Sequence, residues 1–139
     1  MSRPAQPKWM TLAGWVLTLL ATAMLIMSGA MKFSNDPKLL EGLEKMRMTK
    51  ETMQTIGVVE LACAAIFLIP QTTVLGAILI TGYLGGAVFV HVQGGDPISN
   101  IVTPVVIGVV AWLGVYLREP RLRAIAPIRT KGHHQPPLM

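Results

Sequence analysis

The sequence predicts an all-α fold, a four-transmembrane-helix bundle in up-down antiparallel order, with a short interfacial helix between the first and second helices. Of the 139 residues, 52% are hydrophobic and 14% are charged, whereas soluble domains carry roughly 25% charged residues. The mean hydropathy is +0.53. The apolar residues form four long runs, and in lipid only helices or closed barrels satisfy the backbone hydrogen bonds. The length allows one domain, and the composition excludes an ordinary soluble fold.

The first apolar run, residues 10–31, carries no charge. At 1.5 Å per residue it exceeds the roughly 30 Å hydrocarbon core, so it can span the bilayer with tilt. Arg3 and Lys8 before the run, with Ala21-Thr22-Ala23 as a small-residue cleavage site, also fit a signal peptide. Because the run continues through residues 24–27, beyond that site, we predict a retained membrane helix.

The connection over residues 33–49 contains a predicted short helix. Asp36-Pro37 places a capping side chain before a proline at the first helical position. The apolar residues that follow share one helical face: Leu39, Leu40, Leu43 and Met46. Such a helix lies in the membrane interface or folds over the mouth of the bundle as a lid, and we favour the passive interfacial position.

Three further spans follow this connection. The second covers residues 50–69, where Thr49 is the expected N-cap and Pro70 stops the helix. The third and fourth cover residues 72–92 and 98–117. The connections between these spans are too short for anything except antiparallel neighbours.

The basic residues predict the orientation in the membrane. There are 12 basic and 7 acidic residues, and the basic ones flank the apolar runs without forming a patch, which argues against nucleic acid as a partner. The tails carry seven of them: Arg3, Lys8, Arg118, Arg121, Arg123, Arg129 and Lys131. The opposite side carries five: Lys32, Lys38, Lys45, Arg47 and Lys50. We therefore expect a multi-pass protein of the cell (inner) membrane with both termini in the cytoplasm.

This orientation divides the chain into three parts. Residues 1–9 form a cytoplasmic N-terminal tail, and residues 10–123 form the four-helix membrane domain. Residues 124–139 form a cytoplasmic C-terminal tail. Its end, residues 132–139, is polar and rich in proline, so we expect this tail to be disordered.

Glu60 is the most informative residue of the sequence. A carboxylate near the bilayer centre costs at least about a few kcal/mol, so it should face the bundle interior. Gly57, Cys63 and Ala64 share its helical face, so another helix or a ligand can approach closely there. Glu60 then either transfers a proton or hydrogen bond in function or only fixes helix packing, and we favour function.

Other polar residues are candidates for ligand binding or proton relay near the outer end of the bundle. Lys32 ends the first span, Tyr83 and His91 share one face of the third, and Asp96 precedes the fourth. Three of them also have plain structural interpretations: Lys32 extends to the interface, His91 is a polar helix terminus, and Asp96 caps the fourth helix. The functional hypothesis is a polar cavity open to the outer face, with Glu60 at its base.

Three glycines are candidates for close helix packing. Gly57 lies beside Glu60, and Gly82 and Gly86 make a small-xxx-small step in the third span. That step permits close contact within the bundle or between subunits, and we favour the bundle. Because four short helices enclose little volume, we also expect a homo-oligomer.

Four motifs, in this order on the four spans, resemble the DoxX-like family of small bacterial and archaeal four-helix membrane proteins. They are Ser28-Gly29-Ala30-Met31-Lys32-Phe33, Gly57-Val58-Val59-Glu60-Leu61, Gly86-Ala87 followed by His91, and Gly95-Asp96-Pro97. The resemblance covers about residues 10–123 and departs at Phe33, where the family usually has leucine. It implies the four-helix fold and a membrane location, and the family name comes from membrane subunits of archaeal respiratory sulfur oxidation, where thiosulfate electrons enter the quinone pool. It also points to Glu60, Lys32 and His91 as the residues to suspect.

Three functions compete. The first is an accessory subunit of a quinone-linked redox complex, in which Glu60 or His91 contacts a non-covalently bound quinone and a redox partner protein carries the electrons. The second is a transporter for a small solute or a proton, and the third is a purely structural or assembly subunit. The single cysteine, Cys63, excludes a dithiol relay or an iron–sulfur cluster held by this chain alone. We predict no metal site, and no soluble catalytic motif is present, so the sequence leaves open whether the protein is an enzyme.

Overall fold

The computed structural model describes residues 6–124, and all the regular secondary structure in this part of the chain is helical. The tail predictions for residues 1–5 and 125–139 lie outside the described residues. The elements are α1 (Lys8–Met31), α2 (Pro37–Met46), α3 (Lys50–Leu68), α4 (Thr73–Gln93), α5 (Ile98–Arg118) and the short α6 (Pro120–Arg123). A 3-10 turn, Pro70–Thr72, joins α3 to α4.

Four of these helices, α1, α3, α4 and α5, are long and apolar enough to cross a membrane. Each packs against two others, because α3 lies between α1 and α4, and α5 lies between α4 and α1. The up-down bundle with a short helix between its first two spans is confirmed. We call the end with residues 32–49 and 94–97 the loop end, and the opposite end, with the start of α1 and the whole of α6, the termini end.

Local hydrogen bonds set the helix boundaries. The Thr49 hydroxyl accepts from the backbone N–H of Thr52 at 3.2 Å, and the Asp36 carboxylate accepts from Lys38 N–H at 2.8 Å. Both predicted caps are therefore confirmed. After Pro70, the hydroxyls of Thr72 and Thr73 donate to two carbonyls in the last turn of α3, at 2.8 and 2.9 Å. These bonds satisfy groups that a helix end would otherwise leave unpaired.

The predicted cap of the fourth span is wrong. The residue that precedes α5 is Pro97, and no side chain of residues 6–124 caps this helix. The Asp96 carboxylate binds the His91 ring, 2.5 Å from Nδ1 to Oδ2. Gly95 has a φ of +65°, a conformation that favours glycine, and the turn it makes carries Asp96 back to the end of α4, with Asp96 N–H bonded to the His91 carbonyl at 3.0 Å.

The core is narrow, and small residues bring its helices together. Its fully buried large side chains include Leu25, Phe67, Ile80 and Val115. A Cβ on Gly14 of α1 would lie only 2.7 Å from the backbone carbonyl oxygen of Gly114 on α5. A Cβ on Gly76 of α4 would lie 2.3 Å from Phe67 Cα on α3. Many of the other large apolar side chains are exposed, as a lipid-facing surface requires.

Candidate functional site

A charged pair joins α1 to α3 inside the bundle. Lys32 Nζ lies 2.6 Å from Glu60 Oε2, and the two side chains are 16% and 2% exposed. Glu60 lies ten residues after Lys50 and eight before Leu68, which places it about 15 and 12 Å from the two ends of α3. The carboxylate therefore lies near the middle of a membrane span and faces the bundle interior.

Lys32 points in the opposite direction from the one expected for a lysine at the end of a span. It is the C-cap of α1, and its aliphatic chain turns inward to Glu60 instead of extending to the interface. The physical reason is the carboxylate itself, because an ionised group in hydrocarbon is very costly unless a countercharge reaches it. The interpretation of Lys32 as a purely interfacial residue is wrong.

Ser28 completes the coordination of the lysine, one helical turn before it. Lys32 Nζ lies 3.0 Å from Ser28 Oγ and 3.4 Å from the Ser28 carbonyl oxygen. An ammonium group has three N–H donors, and Glu60, the hydroxyl and the carbonyl account for all three. The contact with the carbonyl oxygen is the longest and therefore the weakest.

Small residues allow the two helices to approach at this point. A Cβ on Gly57 would lie 3.1 Å from the Gly29 carbonyl oxygen and 3.2 Å from Lys32 Cβ. A Cβ on Gly29 would lie 2.9 Å from the Leu61 side chain and 3.4 Å from Glu60 Oε2. The two glycines thus bring α1 and α3 close enough for the lysine to reach the carboxylate.

Tyr83 and Cys63 surround the carboxylate from two helices. Tyr83 of α4 is half-buried against the core and lies within range of the Glu60 charge, without a direct hydrogen bond to it among the described residues. Cys63, one turn after Glu60 on α3, is 8% exposed, and its thiol also lies close to the carboxylate. The sequence identified Tyr83 only through its face shared with His91. Its nearness to Glu60 depends on the rotation of α4, which no spacing in one helix reveals.

His91 and Asp96 form a separate pair at the loop end. Their side chains are 30% and 25% exposed. His91 lies eight residues after Tyr83, which places it about 12 Å further along α4, towards the loop end. Of the predicted site residues, the structure therefore brings Lys32, Glu60 and Tyr83 together, and it holds His91 and Asp96 as a second pair above them.

The described part of the chain holds at least two concavities, and Glu60 lines neither of them. The first, the α4–α5 groove, has a volume of about 790 Å³ and runs along the outer side of these two helices. The second, the loop-end cavity, has a volume of about 310 Å³ and lies between α2 and the start of α5. Its polar lining includes Lys38, Glu41, Lys45 and Asp96. In this conformation Lys32 lies against Glu60, whose side chain is 2% exposed.

The other two packing candidates have no neighbour in the described part of the chain. A Cβ on Gly82 or Gly86 would meet no heavy atom within 4 Å, whereas a Cβ on Gly57 would meet three. The small-xxx-small step thus lies on an open face of α4, available to lipid or to another protein.

A second polar cluster, which the sequence analysis missed, lies near the termini end. The Arg118 guanidinium stacks over the Trp15 ring, 4.1 Å from its centroid, and donates to the Thr73 hydroxyl. Its Nε is buried and has no hydrogen-bond partner among the described residues. These residues come from three helices, so no local sequence motif marks them. Within residues 6–124, no group of three or more metal-ligating side chains converges.

Comparison with known proteins gives one match. The model of the DoxX-like family matches residues 16–114, which is more than half of the chain and includes most of the four long helices. No curated protein and no solved structure matches. The family match and the four apolar helices together show an integral, multi-pass membrane protein.

Proposed function

The chain belongs to the DoxX-like family, and we propose that it serves as an accessory subunit of a quinone-linked redox complex. The observation that carries this proposal is the 2.6 Å contact between Lys32 and Glu60 in the middle of the bundle. Ionisable residues at this depth are costly and usually mark proton or ligand sites. Tyr83 adds a hydroxyl from a third helix.

The chemistry of the cluster suits a quinone headgroup. A quinone presents two carbonyl oxygens, which accept hydrogen bonds, and a quinol presents two hydroxyls, which donate them. The Lys32 ammonium and the Tyr83 hydroxyl are donors, and the Glu60 carboxylate is an acceptor. The cluster can therefore bind both redox forms by exchanging partners, without a covalent bond.

Access to the pair requires a local rearrangement at the loop end. Glu60 is closed off, and the longest hydrogen bond of Lys32 is the 3.4 Å contact with the Ser28 carbonyl. We propose that a quinone carbonyl replaces this contact and that Lys32 then swings aside to open an outward-facing polar cavity above Glu60. The amphipathic helix α2, with one buried residue, Leu43, lies at the mouth of that cavity.

The electron balance defines the partner. Reduction of one quinone to quinol takes two electrons and two protons. A redox partner protein supplies the electrons, and the Lys32–Glu60 pair passes protons one at a time from solvent at the loop end. His91 and Asp96, about 12 Å above Tyr83, lie on the route between that solvent and Glu60.

The proposed location is the cell (inner) membrane, with the termini in the cytoplasm and residues 10–123 as the membrane domain. Counted over the full sequence, the side with the two termini carries seven lysines and arginines, and the opposite side carries five. An excess of lysine and arginine favours the cytoplasmic side. A homo-oligomer is also proposed, because four short helices enclose little volume.

A structural or assembly subunit is the second candidate. The observation that favours it is the completeness of the pair, because Glu60 is 2% exposed and Lys32 already has three hydrogen-bond partners. In that function the pair fixes the contact between α1 and α3 and binds nothing else.

Purification of the full chain in a mild detergent, followed by mass spectrometry of bound quinone and protein, separates the two functions. The variant Glu60→Gln keeps the size of the side chain and removes its charge. The matched control is Glu41→Gln, because Glu41 also pairs with a lysine, at 3.0 Å, but is 66% exposed on α2.

We expect the wild-type chain and Glu41→Gln to retain quinone and Glu60→Gln to lose most of it. Wild-type protein that carries no quinone, or quinone retained in Glu60→Gln, contradicts the quinone site. Loss of a partner protein without any bound quinone in Glu60→Gln supports the assembly function.

A further inference from the structure

The α4–α5 groove is apolar and has the length of one leaflet of a bilayer. Twelve residues line it, and all but a few of them are aliphatic, aromatic or glycine. Along α5 it extends from Pro104 to Tyr116, which is about 18 Å of helix and just over half of the roughly 30 Å hydrocarbon core. Gly85 and Gly108 leave its floor without large side chains, and Trp112 forms part of its wall, with its Nε1–H bonded to the Thr81 hydroxyl at 2.8 Å.

One end of the groove meets a cluster of positive charge. Leu122 of α6 lines the groove and packs against the core, so its neighbours Arg121 and Arg123 lie within one residue of the groove at the termini end. Arg121 is exposed, and Arg123 is partly buried beside Met10. The termini end has a net charge of +3 among the described residues, whereas the charges of the loop end outside the span balance.

Aromatic side chains place this end at the level of lipid headgroups. All three tryptophans lie in the half of the bundle nearer the termini end, and Tyr116 lies one turn after Trp112 on α5. Trp9 is 66% exposed at the start of α1. Tryptophan and tyrosine concentrate where hydrocarbon meets headgroups, so the basic residues of α6 lie next to lipid phosphates.

We propose that the α4–α5 groove, with Arg121 and Arg123, binds one anionic glycerophospholipid. One acyl chain lies along the groove, and the phosphate lies between the two arginines. This site shares no residue with the Lys32–Glu60 cluster, so it stands independently of the proposed quinone function. A second copy of the chain is a poorer occupant, because two parallel copies packed through this groove would place their α6 arginines side by side at the same depth.

Native mass spectrometry of the full chain, titrated with phosphatidylglycerol or phosphatidylcholine of identical acyl chains, tests the proposal. The headgroup variant is Arg121→Gln with Arg123→Gln. Its control, Lys38→Gln with Lys45→Gln, removes two positive charges from the loop end.

Two leucine substitutions on α4 form a second matched pair of variants, which tests the groove itself. Gly85→Leu fills the groove, and Gly82→Leu adds the same side chain to the same helix at a position outside it. A Cβ at either glycine would meet no heavy atom of the described residues within 4 Å, so both variants should fold.

We expect wild-type protein to bind phosphatidylglycerol at least about fivefold more tightly than phosphatidylcholine. The arginine variant should remove most of that preference, since a basic residue near an anionic lipid is worth about fivefold in affinity. Gly85→Leu should weaken both lipids, and the two controls should leave binding unchanged. Equal binding of both lipids, equal losses in the arginine variant and its control, or full binding by Gly85→Leu each overturn the proposal.

Discussion

Two inward-turned cations, one near each end of the bundle, have entirely different partners. Lys32 follows the last turn of α1, and Arg118 ends α5, where the partial negative charge of a helix C-terminus favours both. Lys32 reaches a carboxylate at 2.6 Å. Arg118 has only neutral partners in its cluster, the Trp15 ring and the Thr73 hydroxyl.

The partners of the two cations determine whether each can exchange a proton or only stabilises the packing of helices. A lysine beside a carboxylate can exchange a proton with it, because an ammonium can become a neutral amine, whereas an arginine remains charged in proteins. The half of the bundle near the loop end therefore holds a pair, Lys32 and Glu60, that can exchange a proton inside the membrane span. The half near the termini end uses its cation to hold three helices together.

Removal of Lys32 should have the largest effect. Lys32→Met leaves the Glu60 carboxylate buried without its countercharge, and breaking one partner of a buried pair costs about 3–5 kcal/mol. Thermal unfolding in detergent should show a large fall in Tm. The control is Lys45→Met, whose pair is more than 60% exposed on both side chains and contributes below about 1 kcal/mol.

The double variant Lys32→Met with Glu60→Met sharpens this prediction. Replacing both partners of a buried pair by apolar side chains is often close to neutral, so the double variant should recover most of the Tm that Lys32→Met loses. Equal melting of Lys32→Met and Lys45→Met would show that the buried pair contributes no more than an exposed one.

Methyl groups on the glycines should have an intermediate effect, larger near the termini end. Gly14→Ala brings a Cβ to 2.7 Å from the Gly114 carbonyl oxygen, a backbone atom that cannot move cheaply, so we expect a loss of about 1–3 kcal/mol. Gly57→Ala should lose less, because its nearest contacts are 3.0–3.2 Å away and include the Phe33 side chain. Gly82→Ala, with an open Cβ position, is the control, and its stability should not fall.

Differential scanning calorimetry of the three glycine variants measures their order of stability. A Gly14→Ala protein as stable as Gly82→Ala would show that α1 and α5 are further apart than described, and the role of the termini half in packing would be wrong.

Replacement of Arg118 by lysine should have the smallest effect. Arg118→Lys keeps the charge but loses the flat guanidinium that stacks on Trp15, and we expect a loss of about 1 kcal/mol. The exposed Arg121→Lys should stay within about 0.5 kcal/mol of wild type. The bound quinone of Arg118→Lys should equal that of wild type, and its loss would mean that the termini half also takes part in the proposed chemistry.

The sequence predicts the helices well because hydropathy and caps act locally. The four spans begin and end within two residues of the predicted bounds, and Thr49 and Asp36 act as caps as expected. The burial of Glu60 could also be predicted from its sequence neighbours, because a carboxylate in a membrane span is much more stable facing the bundle interior than facing lipid. These features depend on one helix at a time.

The contacts between helices could not be predicted in the same way. Asp96 can cap α5 or bind His91, and the left-handed turn at Gly95 decides between the two. Lys32 can extend to the interface or turn inward, and which of the two it does depends on the depth of Glu60 in α3. The Arg118 cluster depends on the rotation of α5 against α1 and α4, which leaves no signature in any single run.

The chain has one cysteine, and it lies directly beside the buried pair. A thiol that is 8% exposed reacts with a membrane-permeant alkylating reagent only during the moments when the surrounding helices part. The alkylation rate of the unmodified protein therefore reports how often such openings occur. No mutation is needed, because the chain has no other cysteine that could react. A change in this alkylation rate when quinone is added would indicate that quinone binds near the Glu60 carboxylate.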